Sequence, residues 1–309
     1  MKEAAMSFSG TIRGVIVFLL AADRPKTCNV SLSPRGKVEE GKPVTLTCRS
    51  DANPAAQYTF YKHNHSLTVG SGEVYPFHSV SSEDRANYFC KCENKYGNHT
   101  SSPLFLDILY APKLPVVSVT PGEIMEGSLV TLTCLSNANP AASYRWYREN
   151  DNNPLSLREN LNLNNVNSSA SGRYYCSAWN NLGKKTSTVN IDVKYAPRSL
   201  SVSIIPAGKT TKGSSVTLTC SCDANPAALY VWYKEGHESD KTSGQNFIIE
   251  NIQQEHSGDY HCKVQNSLGY QNATISVIVV AGPSKLAVIG TMVFIFLIVI
   301  FLIVFFLLR

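Results

Sequence analysis

Sulfur is the reactive element that this sequence spaces most regularly. Of nine cysteines, Cys48, Cys134 and Cys220 recur every 86 residues, as do Cys90, Cys176 and Cys262, so the members of each pair stand 42 apart. Thiols at a fixed interval in repeated units suit pairwise oxidation to disulfides, which persist in an exported chain. Cys92 lies two residues past Cys90 and points the same way, and Cys28 shares parity with Val30 and Leu32 near the same end of its unit, which makes Cys28 and Cys92 candidates for an extra bridge. Cys222, two past Cys220, then has no partner in its own unit and is either a buried thiol or a handle for a second chain. A second chemistry sits in asparagine. Asn29, Asn64, Asn98, Asn167 and Asn272 are each followed two places on by Ser or Thr, the acceptor pattern for an N-linked glycan. His63 and His65 form a His-x-His pair able to grip a metal, but "KHNHS" offers no third ligand and reads as solvated loop, so no metal or cofactor is expected. There is no Gly-rich phosphate loop, no Gly-x-Ser-x-Gly and no carboxylate pair in a working setting; an enzyme is not expected.

The elements that must place these sulfurs are strands. "VTLTC" precedes the first cysteine of every unit, so that Val44, Leu46 and Cys48 face one side while Thr45 and Thr47 face the other. Twelve residues past that cysteine comes Phe60, Trp146 or Trp232, and two before the second cysteine stands Tyr88, Tyr174 or Tyr260. An aromatic on a middle strand, a cysteine pair across two sheets and a tyrosine at that offset form the core of the immunoglobulin sandwich. Apolar positions Leu161, Leu163 and Val166 recur as Tyr75, Phe77 and Val80 and as Phe247, Ile249 and Ile252. The fold class is therefore all-β, with three tandem immunoglobulin-like C2-type sandwiches at 23–110, 111–195 and 196–282, since the short interval leaves no room for the two extra strands of a variable domain. Phe60 keeps most of the buried ring area of a tryptophan, so the first unit is expected to be sound, with a small void that costs about 1 kcal/mol. "Tyr-Ala-Pro" at 110–112 and 195–197 marks the joints, and Asn53, Asn139 and Asn225 in the repeated "ANPA" read as turn formers.

The ends set the compartment. No charge interrupts 286–308, a stretch whose roughly 34 Å as helix would cross a hydrocarbon core of about 30 Å. Residues 1–22, with the apolar run Gly14 to Ala22 behind Arg13, read as a signal peptide. Together with the sequons, these features predict a single-pass type I glycoprotein of the plasma membrane with its bulk outside the cell. The net charge of +5 is too scattered to argue for nucleic acid.

"VTLTC", "ANPA", Tyr-x-Trp-Tyr-Lys and the Asn-x-x-Gly at Asn94 to Gly97 and Asn266 to Gly269 resemble one family, the sialic-acid-binding immunoglobulin-like lectins (siglecs), in particular the membrane-proximal C2-type domains of its B-cell member in fish-like form. The resemblance implies an immune-cell receptor whose partner is a cell-surface protein or glycan. Such lectins bind sialic acid through an F-strand arginine of an N-terminal variable-type domain, which has no counterpart here; the corresponding positions hold Lys91, Ser177 and Lys263. The chain ends at Arg309, one residue past the expected span, so a signalling tail is not expected and lateral or homophilic association takes its place. The alternatives are a homophilic adhesion molecule of carcinoembryonic-antigen type and a lipid-anchored form.

Overall fold

A computed structural model describes residues 22–63, 67–282, 294–300 and 302–304. Each unit places two antiparallel sheets face to face. In the first, Cys28–Ser33, Val44–Ser50 and Val74–Phe77 form one sheet, and Leu67–Ser71, Gln57–Lys62, Ala86–Asn94 and Gly97–Thr100 the other. The second pairs Val116–Thr120, Val130–Leu135 and Asn160–Leu163 against Ser143–Arg148, Gly172–Asn180 and Gly183–Ile191. The third pairs Val193–Ile205, Val216–Asn225 and Asn246–Ile249 against His237–Ser243, Leu229–Lys234, Gly258–Asn266 and Gly269–Val277. A short parallel pair closes each sandwich: Val38–Glu39 with Ile108–Leu109, Ile124–Met125 with the start of Val193–Ile205, and Thr210–Thr211 with Val279–Val280.

Strand alternation builds the cores. Val44, Leu46 and Cys48 are buried between half-buried threonines, and Val130, Leu132 and Cys134 and then Val216, Leu218 and Cys220 repeat the pattern. Trp146 and Trp232 are fully buried, and each indole N–H donates to a backbone carbonyl, Glu159 at 3.0 Å and Gln245 at 3.3 Å. That carbonyl also accepts from the first cysteine's N–H at 2.9 Å in every unit, Glu73 from Cys48 included. Phe60 therefore leaves no orphaned acceptor. Its smaller ring is fully buried and packs 6.0 Å from Tyr75, whose ring stands edge-on to Phe77, which in turn meets Tyr88. Gly70 makes room for that cluster, since a Cβ there would lie 2.4 Å from the Tyr75 ring.

The signal-peptide segment lies outside the described residues except for Ala22, as do Asn64 and His65. Of the expected span, 294–300 and 302–304 are helical with exposed side chains. Among the described residues no helix is long and apolar enough to cross a membrane.

Candidate functional site

Each sandwich is pinned by a sulfur bridge and a tyrosine. Cys48 is bonded to Cys90, Cys134 to Cys176 and Cys220 to Cys262, and Cys28 is bonded to Cys92. The two bridges of the first unit lie side by side, with the Cys48 and Cys92 sulfurs 3.4 Å apart. All four sulfurs fall within 4.8 Å of one another, a thiol cluster of metal-binding dimensions that is consumed in disulfides. Cys222 is a half-buried thiol 3.4 Å from the Tyr230 hydroxyl. The hydroxyls of Tyr88, Tyr174 and Tyr260 donate to the carbonyls of Asp84, Ala170 and His256, four residues upstream, at 2.9–3.0 Å. Burial pushes all three phenols above their ordinary range, so they remain donors at any physiological pH.

The joints are more elaborate than turn chemistry demands. In the second unit the Asn139 amide donates backwards to the Ile108 carbonyl at 2.7 Å and to the Asp107 carboxylate at 2.8 Å, both in the last stretch of the first unit. In the third unit Asn225 does the same to Val193 at 2.8 Å and Asp192 at 2.6 Å. A second asparagine holds the linker itself. Asn94, Asn180 and Asn266 each donate at 2.9 Å to the carbonyl of Asp23, Tyr110 or Tyr195 and at 3.0 Å to that of Pro54, Pro140 or Pro226. The Asn–Pro peptide is cis in all three loops. Asn53, Asn139 and Asn225 pair antiparallel with Asp23, Tyr110 and Tyr195 rather than standing in turns, and the latter two are also interdomain clasps. Sequence reasoning missed the clasp; its signal was the joint recurrence of Asp, an aliphatic residue and Tyr-Ala-Pro with both asparagines.

Charge completes the joints. Arg198 donates to Glu126 of the second unit at 2.8 Å and to Asp223 of the third at 2.9 Å, hydrogen-bonds the Ser168 hydroxyl at 2.7 Å, and stacks 4.2 Å over Tyr195. The Tyr195 hydroxyl donates to Asp223 at 2.8 Å, and this bond together with the Arg198 pair holds the Asp223 carboxyl below its ordinary value. Lys194 and Asn225 do the same for Asp192. Partial burial works against ionising Asp107, but hydrogen bonds from Arg85 and Asn139 outweigh it and hold that carboxyl low as well. At the first joint Lys113 pairs with Glu83 at 2.9 Å.

The outer sheet faces hold the F-strand positions that the resemblance singles out. Of the positions where the resemblance places a sialic-acid-binding arginine, Lys91 is paired with Glu93 at 2.7 Å, Ser177 is buried, and Lys263 lies 5.1 Å over the Tyr270 ring. Asn29, Asn98, Asn167 and Asn272 are exposed.

A family model described as "Immunoglobulin domain" matches residues 26–108, 114–193 and 200–279. The chain belongs to the immunoglobulin domain family. Its immunoglobulin domains are 31% identical over 256 residues to "B-cell receptor CD22" of Mus musculus, covering 79% of this chain and 29% of that protein. They are 28% identical to "Fc receptor-like protein 2" of Homo sapiens, covering 79% of this chain and 53% of that one. The chain therefore spans less than two thirds of the length of either relative. Among solved structures, the full three-domain ectodomain of mouse nectin-like molecule 4 superposes with a TM-score of 0.52 at 21% identity, covering 80% of this chain and 98% of that one, which is a likeness of fold.

Proposed function

We propose that this chain is a cell-surface receptor or adhesion glycoprotein of immune-cell type, acting by contact with a protein or glycan on another surface and performing no catalysis. The observation that carries this reading is the pair of built joints, at which polar side chains and charge hold successive domains to one another. A chain that presents a surface to another cell needs domains held to one another in this way. Similarity to a B-cell receptor and to an Fc receptor-like protein supports the receptor class, and the uncharged run at 286–308 supports a single membrane anchor behind an exported ectodomain. Within that class the siglec resemblance is read as kinship of the C2-type domains rather than of the sugar site, because Lys91, Ser177 and Lys263 supply no guanidinium to grip a carboxylate in bidentate fashion.

Beads coated with residues 23–282 test the reading. Binding to a subset of leukocytes, unchanged by sialidase treatment of those cells and without bead clumping in their absence, is expected. Clumping of beads alone would replace the reading with self-adhesion, loss on sialidase treatment would restore a lectin, and absence of binding to every leukocyte type would overturn the receptor class.

A further inference from the structure

The third domain carries an apolar stripe on its outer sheet face and, on the same face, one of the five sequons. In the paired strands Leu229–Lys234, Gly258–Asn266 and Gly269–Val277, Leu229, Gln265 and Tyr270 stand in one row, and Val231, Lys263 and Asn272 in the next. The inward residues Trp232, Cys262, Val264 and Val277 are buried, so both rows face out. Leu229 is 75% exposed and Tyr270 64%, large apolar surfaces to leave in water beside a groove of about 490 Å³ lined by Pro226, Leu229, Val231 and Lys263. Lys263 braces one side of the Tyr270 ring, and the sequon hydroxyl of Thr274 is hydrogen-bonded to His261 at 2.9 Å in the following row.

We propose that Asn272 carries an N-linked glycan whose first N-acetylglucosamine lies back over Tyr270, capping the apolar stripe with covalently attached sugar. The chemistry fits the pleat. Residues i and i+2 of a strand share a face and lie about 6.6 Å apart, the reach of one sugar ring, and the C–H face of that ring is apolar enough to cover an aromatic one. Asn98 supplies a contrast. Tyr96 also stands two residues before it, but in the turn ahead of Gly97, whose φ of 147° interrupts the alternation, so the pair does not share a strand. Asn29 and Asn167 have Thr27 and Asn165 at that position.

The inference rests on the exported-glycoprotein reading but not on any ligand. Full-length protein from glycosylating animal cells is compared as wild type, Asn272→Gln, Tyr270→Thr and the double variant. Occupancy is read by glycopeptide mass spectrometry, and the thermal midpoint of the third domain by hydrogen exchange of 258–277 along a temperature series. Asn272 is expected to be occupied. Its glycan is expected to raise the midpoint by a few degrees when Tyr270 is present and to leave it unchanged in the Tyr270→Thr background, where the ring is gone. An empty Asn272 in wild type, or the same glycan effect in both backgrounds, overturns the proposal. If Asn272 is occupied and coupled while leukocyte binding is absent, the inference stands and the receptor reading falls.

Discussion

Position 60 shows how far one residue can depart from its repeat when its neighbours change with it. Trp146 faces no ring at the position of Tyr75 and Trp232 lies 6.5 Å from Phe247, whereas the smaller Phe60 packs 6.0 Å from the Tyr75 ring, which the absence of a side chain at Gly70 admits. Phe60→Trp is therefore expected to destabilise the first domain by about 1–3 kcal/mol through overpacking, although it restores the residue of the other two units. Trp146→Phe should cost a similar amount, about 1–3 kcal/mol, for the opposite reason: a void opens where the opposing residue is Leu161 rather than a ring. Chemical denaturation of each domain, followed by hydrogen exchange of its core strands, checks both signs. The core residues were legible because burial follows period two and the cysteine spacing repeats. The packing of Phe60 against the Tyr75 ring was not legible, since Tyr75 reads as one more apolar position until the sheets are stacked.

At the scale of elements, the joint is a strand end received by two loops. The Tyr-Ala-Pro linker and the Asn-x-x-Gly hairpin lock together: a Cβ on Gly183 would lie 2.9 Å from the Cβ of Ala111, and one on Gly269 would lie 3.1 Å from that of Ala196. The glycine lets the linker close, and the asparagine three places earlier then holds the linker carbonyl. Gly183→Ala is expected to push Ala111 away and break the Asn180 bond, costing about 1–3 kcal/mol and raising hydrogen exchange at 110–113 while the cores of both flanking domains stay protected. Unchanged exchange there would show that the contact does not hold the linker. The joints were legible in place, because proline and the change of unit mark them, but not in mechanism. A side chain that reaches back into a different domain has no signature in the periodicity of its own strand, and Asn139 and Asn225 read as ordinary turn residues for that reason.

At the scale of the whole molecule, the ends and the joints decide what the chain can present, and they respond to different variables. The second joint lies within one strand, Val193–Ile205, whose pairing shifts register on either side of Arg198 and whose backbone turns to a φ of 54° at Ser199, so Arg198 contacts brace the one place where this strand is irregular. These ion pairs are half exposed, and each is worth little alone, but Arg198 joins two carboxylates from different domains and a ring between them. Asp107, Asp192 and Asp223 all have carboxyls held below their ordinary 3.8 in the docked state. A depressed value means that docking favours the ionised form, so this contribution is fully present above about pH 4 and is lost as pH falls through the docked values. The radius of gyration from small-angle scattering should accordingly stay constant between about pH 5 and 7.5 and increase below about pH 3.8, with the tyrosine corners still intact because their phenols do not titrate in that window. Arg198→Ala should reproduce the expanded state at neutral pH, at the second joint alone. A radius that is unchanged in that variant would mean that backbone pairing, and not the charge cluster, sets the angle between the last two domains, and the Asn225 clasp would then be the element to remove next.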